Sequence, residues 1–162
     1  MKPPRQITRG FTLVEMVVCV AIVAVLAAAA HPMVELASRR AKETELRQAL
    51  RSLRTAIDAY KQASDEGRIA KAADASGYPP TLAALVDGVP RAGAATDDAR
   101  RVYFLRRLPR DPFADASLPA AQTWALRAYD SPPDAPRAGR DVFDVASRSQ
   151  RRALDGTRID QW

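Results

Sequence analysis

The sequence predicts an α+β chain: one long N-terminal helix, apolar and then amphipathic, ahead of a small C-terminal domain with short strands. Three observations predict it. Phe11 to Ala30 is a twenty-residue apolar run whose one charged side chain is Glu15. Leu46, Leu50, Leu53, Ile57 and Tyr60 then recur at spacings of four, three, four and three, which lines one face of a helix. Residues 68–162 hold eight of the ten aromatics, the material of a separate small core. A length of 162 residues makes one globular domain the default.

Composition narrows the chemistry. The single Cys19 excludes an intramolecular disulfide and a Cys-based zinc site. The single His31 excludes a multi-His metal centre and leaves no histidine for a triad away from the apolar run. No nucleophile–base pair and no phosphate-cradling Gly-rich loop is legible, so a membrane-anchored enzyme is not the expected answer. Net charge is +6, but Lys2, Arg5 and Arg9 in the first ten residues supply half of it.

A basic leader before an apolar run holds that end in the cytoplasm and sends the rest across. Twenty helical residues cover about 30 Å, the thickness of the hydrocarbon layer. Three readings compete for this segment. Ala28-Ala29-Ala30 offers the small residues of a cleaved secretory signal. The second is a plain signal anchor. The third reading turns on Glu15, because an isolated carboxylate within a span costs on the order of 3 kcal/mol and calls for a partner or a task.

Gly10-Phe11-Thr12-Leu13-Val14-Glu15 resembles the processing motif of type IV prepilins and type II secretion pseudopilins. The resemblance implies cleavage between Gly10 and Phe11 by a prepilin peptidase/methyltransferase, N-methylation of Phe11, and retention of the apolar run. Residues 1–10 are then a leader, and 11–30 the transmembrane and filament-core half of the helix. Glu15 and Pro32 become assembly positions: Glu15 neutralises the new amine of a neighbouring subunit, and Pro32 kinks the helix. A pair formed only in correct axial register offsets the burial of both charges. The small residues Ala21, Ala24 and Ala27 to Ala30 allow close helix approach.

Residues 31–67 form the amphipathic half, with Arg39, Arg40, Lys42, Glu43, Arg47, Arg51, Arg54 and Lys61 around the Leu/Ile stripe. Asp65-Glu66-Gly67 is the expected stop. The stripe is expected to pack on residues 68–162, since so small a domain needs it to complete a core. There, Thr81 caps a short helix over Leu82 to Val86, and Val89 to Ala99 reads as a loop. Trp124 to Tyr129 and Val142 to Ala146 read as strands around a turn containing Pro132, Pro133, Pro136 and Gly139. Arg158 to Trp162 reads as a short last strand.

Four pieces of this half occur in the order found in the G-type (major) pseudopilin of type II secretion, which the chain resembles. They are Tyr78-Pro79-Pro80-Thr81-Leu82, Leu108-Pro109-Arg110-Asp111-Pro112-Phe113, Asp141-Val142-Phe143-Asp144, and a terminal Trp162. The resemblance implies a pilin-like fold, the long helix lying against a short three-stranded antiparallel sheet. It also implies a structural subunit of a secretion pseudopilus, not an enzyme, held single-pass in a bacterial inner membrane with its C-terminal domain in the periplasm. Implied partners are copies of itself in a helical filament, minor pseudopilins, the prepilin peptidase, an inner-membrane assembly platform, and membrane lipid before assembly. The alternative is a type IV pilin used for adhesion, motility or DNA uptake. Many such pilins close a C-terminal loop with a disulfide, which this chain cannot do. The arginines of 148–152 lack interleaved aromatics, and no nucleic acid is expected.

The chain departs from the family in two places. Phe113-Ala114 stands where a Trp-Gly pair is usual. Many members also bind calcium in a Gly- and Asp-rich C-terminal loop, whereas residues 147–157 here carry Arg148, Arg151 and Arg152. Asp155 and Asp160 are the carboxylates left for a cation that wants six to eight oxygens, so no cofactor and no calcium are expected. The expected substitutes are pairing of these arginines with carboxylates such as Asp141 or Asp144, and packing of Trp162.

Overall fold

The computed structural model describes residues 11–93 and 101–162, without the side chains of 28–32. The expected leader, the Gly10 side of the cleavage position and residues 94–99 of the expected loop lie outside the described residues. The fold is α+β and pilin-like: helix α1 spans Leu13–Asp65, and a small domain with short antiparallel sheets follows. The contacts divide the chain into two units, one ending at Arg40 and the other Ala41–Trp162.

In the first unit α1 opens at Leu13 behind Thr12, whose Oγ1 accepts the Glu15 N–H at 3.2 Å. A threonine oxygen here satisfies one of the donors a helix start leaves unpaired. The described side chains of this unit are exposed throughout.

In the second unit the stripe does what its spacing requires. Leu46, Leu50, Leu53, Ile57 and Tyr60 are all buried, with Ala49, Ala56 and Ala63 filling the narrow places between them. Full burial of one such Leu or Ile contributes about 1.5–3 kcal/mol, as an upper figure. The helix stops as expected. The Arg68 N–H reaches the Ala63 carbonyl at 2.9 Å and the Gly67 N–H reaches Ser64 at 3.1 Å, a Schellman closure. That closure needs a left-handed residue, and Gly67 supplies it at φ 67°.

Across from the stripe lie Ile69, Leu82, Leu85, Trp124, Val142, Val145 and Ile159, forming one core with it. The short helix α2 is Ala84–Asp87, two residues beyond the expected start, with Thr81 Oγ1 accepting the Ala84 N–H at 3.3 Å. Strands β1 (Val89–Pro90) and β2 (Arg101–Val102) pair antiparallel. This corrects the expectation of a loop from Val89 to Ala99. Two-residue strands show no alternation to read, and their partnership depends on chain closure around Leu85, whose carbonyl accepts from both Phe104 and Leu105.

Strands β3 (Trp124–Arg127) and β4 (Asp144–Ser147) form the second antiparallel pair, in register Trp124↔Ser147 to Arg127↔Asp144. The Pro-containing segment between them turns as expected, and Gly139 is required there, because a Cβ at that position would stand 2.7 Å from that of Ala128. Among the described residues the sheets have two strands each, not three in one. The segment expected as a last strand is instead a short 3₁₀ turn, Ile159–Gln161, with only a bridge between Arg152 and Arg158. The Ile159 N–H bonds Arg151 O at 3.0 Å across that bridge, and beyond it the Gln161 and Trp162 N–H groups turn back to Arg158 O at 3.2 Å and Ile159 O at 3.3 Å. Burial of Ile159 under the helix stripe outweighs extension.

Candidate functional site

The N-terminal segment presents an exposed apolar surface among the described residues of its unit. Phe11, Leu13, Val14, Met16, Val17, Val18, Val20, Ile22, Val23, Val25 and Leu26 are all at least half exposed, and Met33 and Val34 more than that. Soluble monomers rarely leave so continuous an apolar face to water, so lipid or another protein surface is its natural cover. Glu15 sits in the first turn of α1, exposed within this face. There its carboxylate lies near the positive end of the helix dipole. Among the described residues, no helix is long and apolar enough to cross a membrane. Three residues at the end of the expected span, 28–30, lie outside the described side chains.

The Thr12–Glu15 contact was legible in principle. T-x-x-E is a capping signature, and in this sequence it is hidden inside the processing motif. Phe11 is 74% exposed. Position 32 lies within α1, and its side chain and that of His31 are outside the described set. Of the predicted site residues, Phe11 and Glu15 share one segment, and Asp155 and Asp160 share another in the second unit.

That second segment follows β4. Arg151 to Ile159 doubles back on itself, Ala153 N–H bonding Thr157 O at 2.8 Å across the Asp155-Gly156 turn. Asp155 Oδ1 accepts the Thr157 amide at 2.9 Å and its hydroxyl at 2.6 Å, while Oδ2 takes Arg47 of α1 at 2.9 Å. The Thr157 hydroxyl, then its amide, and the Arg47 guanidinium hold this carboxyl below the usual aspartate range. Asp160 is lowered likewise by Arg158, whose Nε and Nη2 meet the two oxygens at 3.0 and 2.6 Å.

Among the described residues, this loop's arginines find contacts other than the expected Asp141 or Asp144. Arg148 Nε donates to Trp124 O at 3.0 Å, and Arg152 Nη1 to Gly156 O at 3.1 Å. Asp141 is buried and accepts the Ser76 hydroxyl and the Tyr129 amide at 2.9 Å, neutral donors already at hand inside the fold. A guanidinium would have to be stripped of water to replace them. Asp144 is claimed from the other side, by Arg54 of α1 at 2.8 Å. Trp162 packs half-buried against the core, its Nε1 donating to Thr157 Oγ1 at 2.7 Å.

The motif from Leu108 to Phe113 also acquires a physical role. Asp111, 2% exposed, accepts the Ser147 hydroxyl at 2.5 Å and the Phe113 amide at 2.8 Å, tying this segment to β4. Trp124 Nε1 donates to Pro109 O at 3.0 Å beside it.

Against known families, the prokaryotic N-terminal methylation motif matches residues 5–30. The chain carries a prepilin-type processing motif. The match spans 26 of the 162 residues, and it supports the type IV pilin superfamily in agreement with the fold. No curated protein and no solved structure matches the chain.

Proposed function

We propose that the chain is a structural subunit of a type II secretion pseudopilus, resembling the G-type (major) pseudopilin. It is cut between Gly10 and Phe11, methylated on Phe11, held by its apolar helix in the inner membrane, and assembled into a filament that drives folded periplasmic proteins outward. The carrying observation is the methylation motif over residues 5–30, set on a helix whose start is an exposed apolar face containing one carboxylate. In this reading Glu15 neutralises the amine of the neighbouring subunit, and the kink at Pro32 fits the helix to the rod. The subunit itself performs no chemistry and holds no cofactor. Its partners are its own copies, minor pseudopilins, the prepilin peptidase and the assembly platform.

The choice of a secretion rod over a pilus is supported by the order of the Tyr78–Leu82, Leu108–Phe113, Asp141–Asp144 and Trp162 pieces, and by the lack of a second cysteine for a pilin loop. Deleting the gene in its native host tests it. Secreted hydrolases are expected to accumulate in the periplasm while surface motility and DNA uptake persist. Loss of motility or uptake with secretion intact would identify a pilus subunit instead.

A further inference from the structure

Many members of the family that the sequence resembles close their C-terminal loop on calcium, and the residues here do not fit that ion. Among the described residues, no group of three or more His, Cys, Asp or Glu side chains comes together to hold a metal. The two carboxylates of the loop are already engaged. Asp155 has both oxygens taken by Thr157 and Arg47, and Asp160 has both taken by Arg158. A Ca²⁺ would have to displace these donors and enter between guanidinium groups.

We propose that the cation closing this loop is supplied by the chain itself, as a guanidinium clamp from α1 made by Arg47 and Arg54, with Glu43 as its acidic counterpart. The three positions lie four and seven residues apart, so they stack along one side of α1 next to the buried Leu46–Leu50–Leu53–Ile57 stripe. Each grips part of the stretch from Asp144 to Trp162. Glu43, buried, accepts the Leu154 N–H at 2.8 Å. Arg47 binds the Asp155 carboxylate, and its guanidinium carbon stands 4.1 Å from the centre of the Trp162 ring. Arg54 spans three acceptors: Asp144 Oδ1 at 2.8 Å, Val145 O at 3.1 Å and Trp162 O at 2.7 Å.

A guanidinium suits the task for the reason calcium does in its relatives. It is a permanent cation with several directed donors, and one group can gather a carboxylate, carbonyls and an aromatic face. It differs in being covalently part of the helix, so closure needs no ion and no ion concentration. The Arg47–Asp155 pair is close to half exposed on both sides, so salt in solution screens it, whereas calcium leaves it unchanged. The clamp serves a secretion rod and a pilus alike.

The test is hydrogen exchange of the full chain in detergent, read on peptides covering 148–162 and, as a reference, 46–60. Millimolar calcium and chelator are expected to give the same exchange in both. Terbium, a calcium stand-in whose emission Trp162 would sensitise, is expected to show no saturable binding. Arg47→Met and Arg54→Met should each speed exchange of the loop by about threefold or more while sparing 46–60. Asp155→Asn should also loosen the loop, and the Arg47→Met/Asp155→Asn double variant should lose less protection than the sum of the two single variants. Molar salt should loosen the wild-type loop and leave the Arg47→Met loop almost unmoved. Calcium-dependent protection, saturable terbium emission, or arginine variants exchanging like the wild type would overturn the proposal. Loss of protection through 46–60 would contradict it too, since the clamp is local.

Discussion

Asp111→Ala tests whether the Leu108–Phe113 segment is held to the domain by its carboxylate. Asp111 is almost wholly buried, and its two oxygens receive the Ser147 hydroxyl at 2.5 Å and the Phe113 amide at 2.8 Å. Truncation leaves both donors in a place water cannot reach without opening the fold. Ser147, 2% exposed, also receives the Ser149 amide at 3.0 Å, so its hydroxyl oxygen is fixed and the proton has few other directions. At about 1–3 kcal/mol for each stranded donor, with partial relaxation, the loss should be about 3 kcal/mol. For a unit of this size that lowers the melting temperature by about 10 °C. Near-ultraviolet circular dichroism of the full chain in detergent reads it through Trp124, which is fully buried and bonded to Pro109 in the same segment. Asp111→Asn keeps an acceptor for Phe113 and should recover about half the loss. A shift below about 2 °C for the alanine variant would refute the reasoning, because the carboxylate would then be dispensable to its donors.

Three further outcomes follow from the same geometry. Trp162→Ala removes a half-buried ring, its contact with Arg47 and its bond to Thr157, and should lower stability by about 1–2 kcal/mol in a thermal melt; no change would mean the ring only rests on the surface. Glu15→Val should leave membrane insertion intact or improved, since it removes a charge from the apolar face, yet abolish filaments seen by electron microscopy; wild-type filaments from this variant as the only copy would remove Glu15 from assembly. Asp155 and Asp160 both have carboxyls depressed in the folded state, so their stabilisation is present above the ordinary aspartate range and fades as pH falls through their lower folded values. The loop should therefore open in acid before the core melts, and loop exchange that does not rise in acid would contradict the assignment.

Much of the fold was readable in the sequence because it rests on local rules. The stripe from Leu46 to Tyr60 has one helical period and one burial outcome, and Gly67 ends the helix where a left-handed residue is needed. The β3–β4 pair was legible to within two residues at each boundary from aromatic and branched content around a Pro-rich turn. What escaped depends on distant parts of the chain meeting. Val89–Pro90 is a strand only because Arg101–Val102 closes on it. Ile159 leaves the extended conformation because the core has a place for it. Arg47 and Arg54 read only as charges around the Leu/Ile stripe, since nothing in their spacing reveals that the C-terminal loop returns to them. Asp141 drew notice as a partner for arginine and is satisfied instead by Ser76 and Tyr129. At the N-terminal site the motif itself was legible, and the capping role of Thr12 was concealed within it.

The measurement that bears most directly on the whole account is the intact mass and N-terminal sequence of the chain recovered from the membrane of its native host. The expected result is a chain that begins at N-methylated Phe11 and keeps the apolar run, with Gly10→Val leaving the precursor uncut. A mature terminus at His31 would show removal of that run by ordinary signal cleavage, and with it would go the helix on which assembly depends.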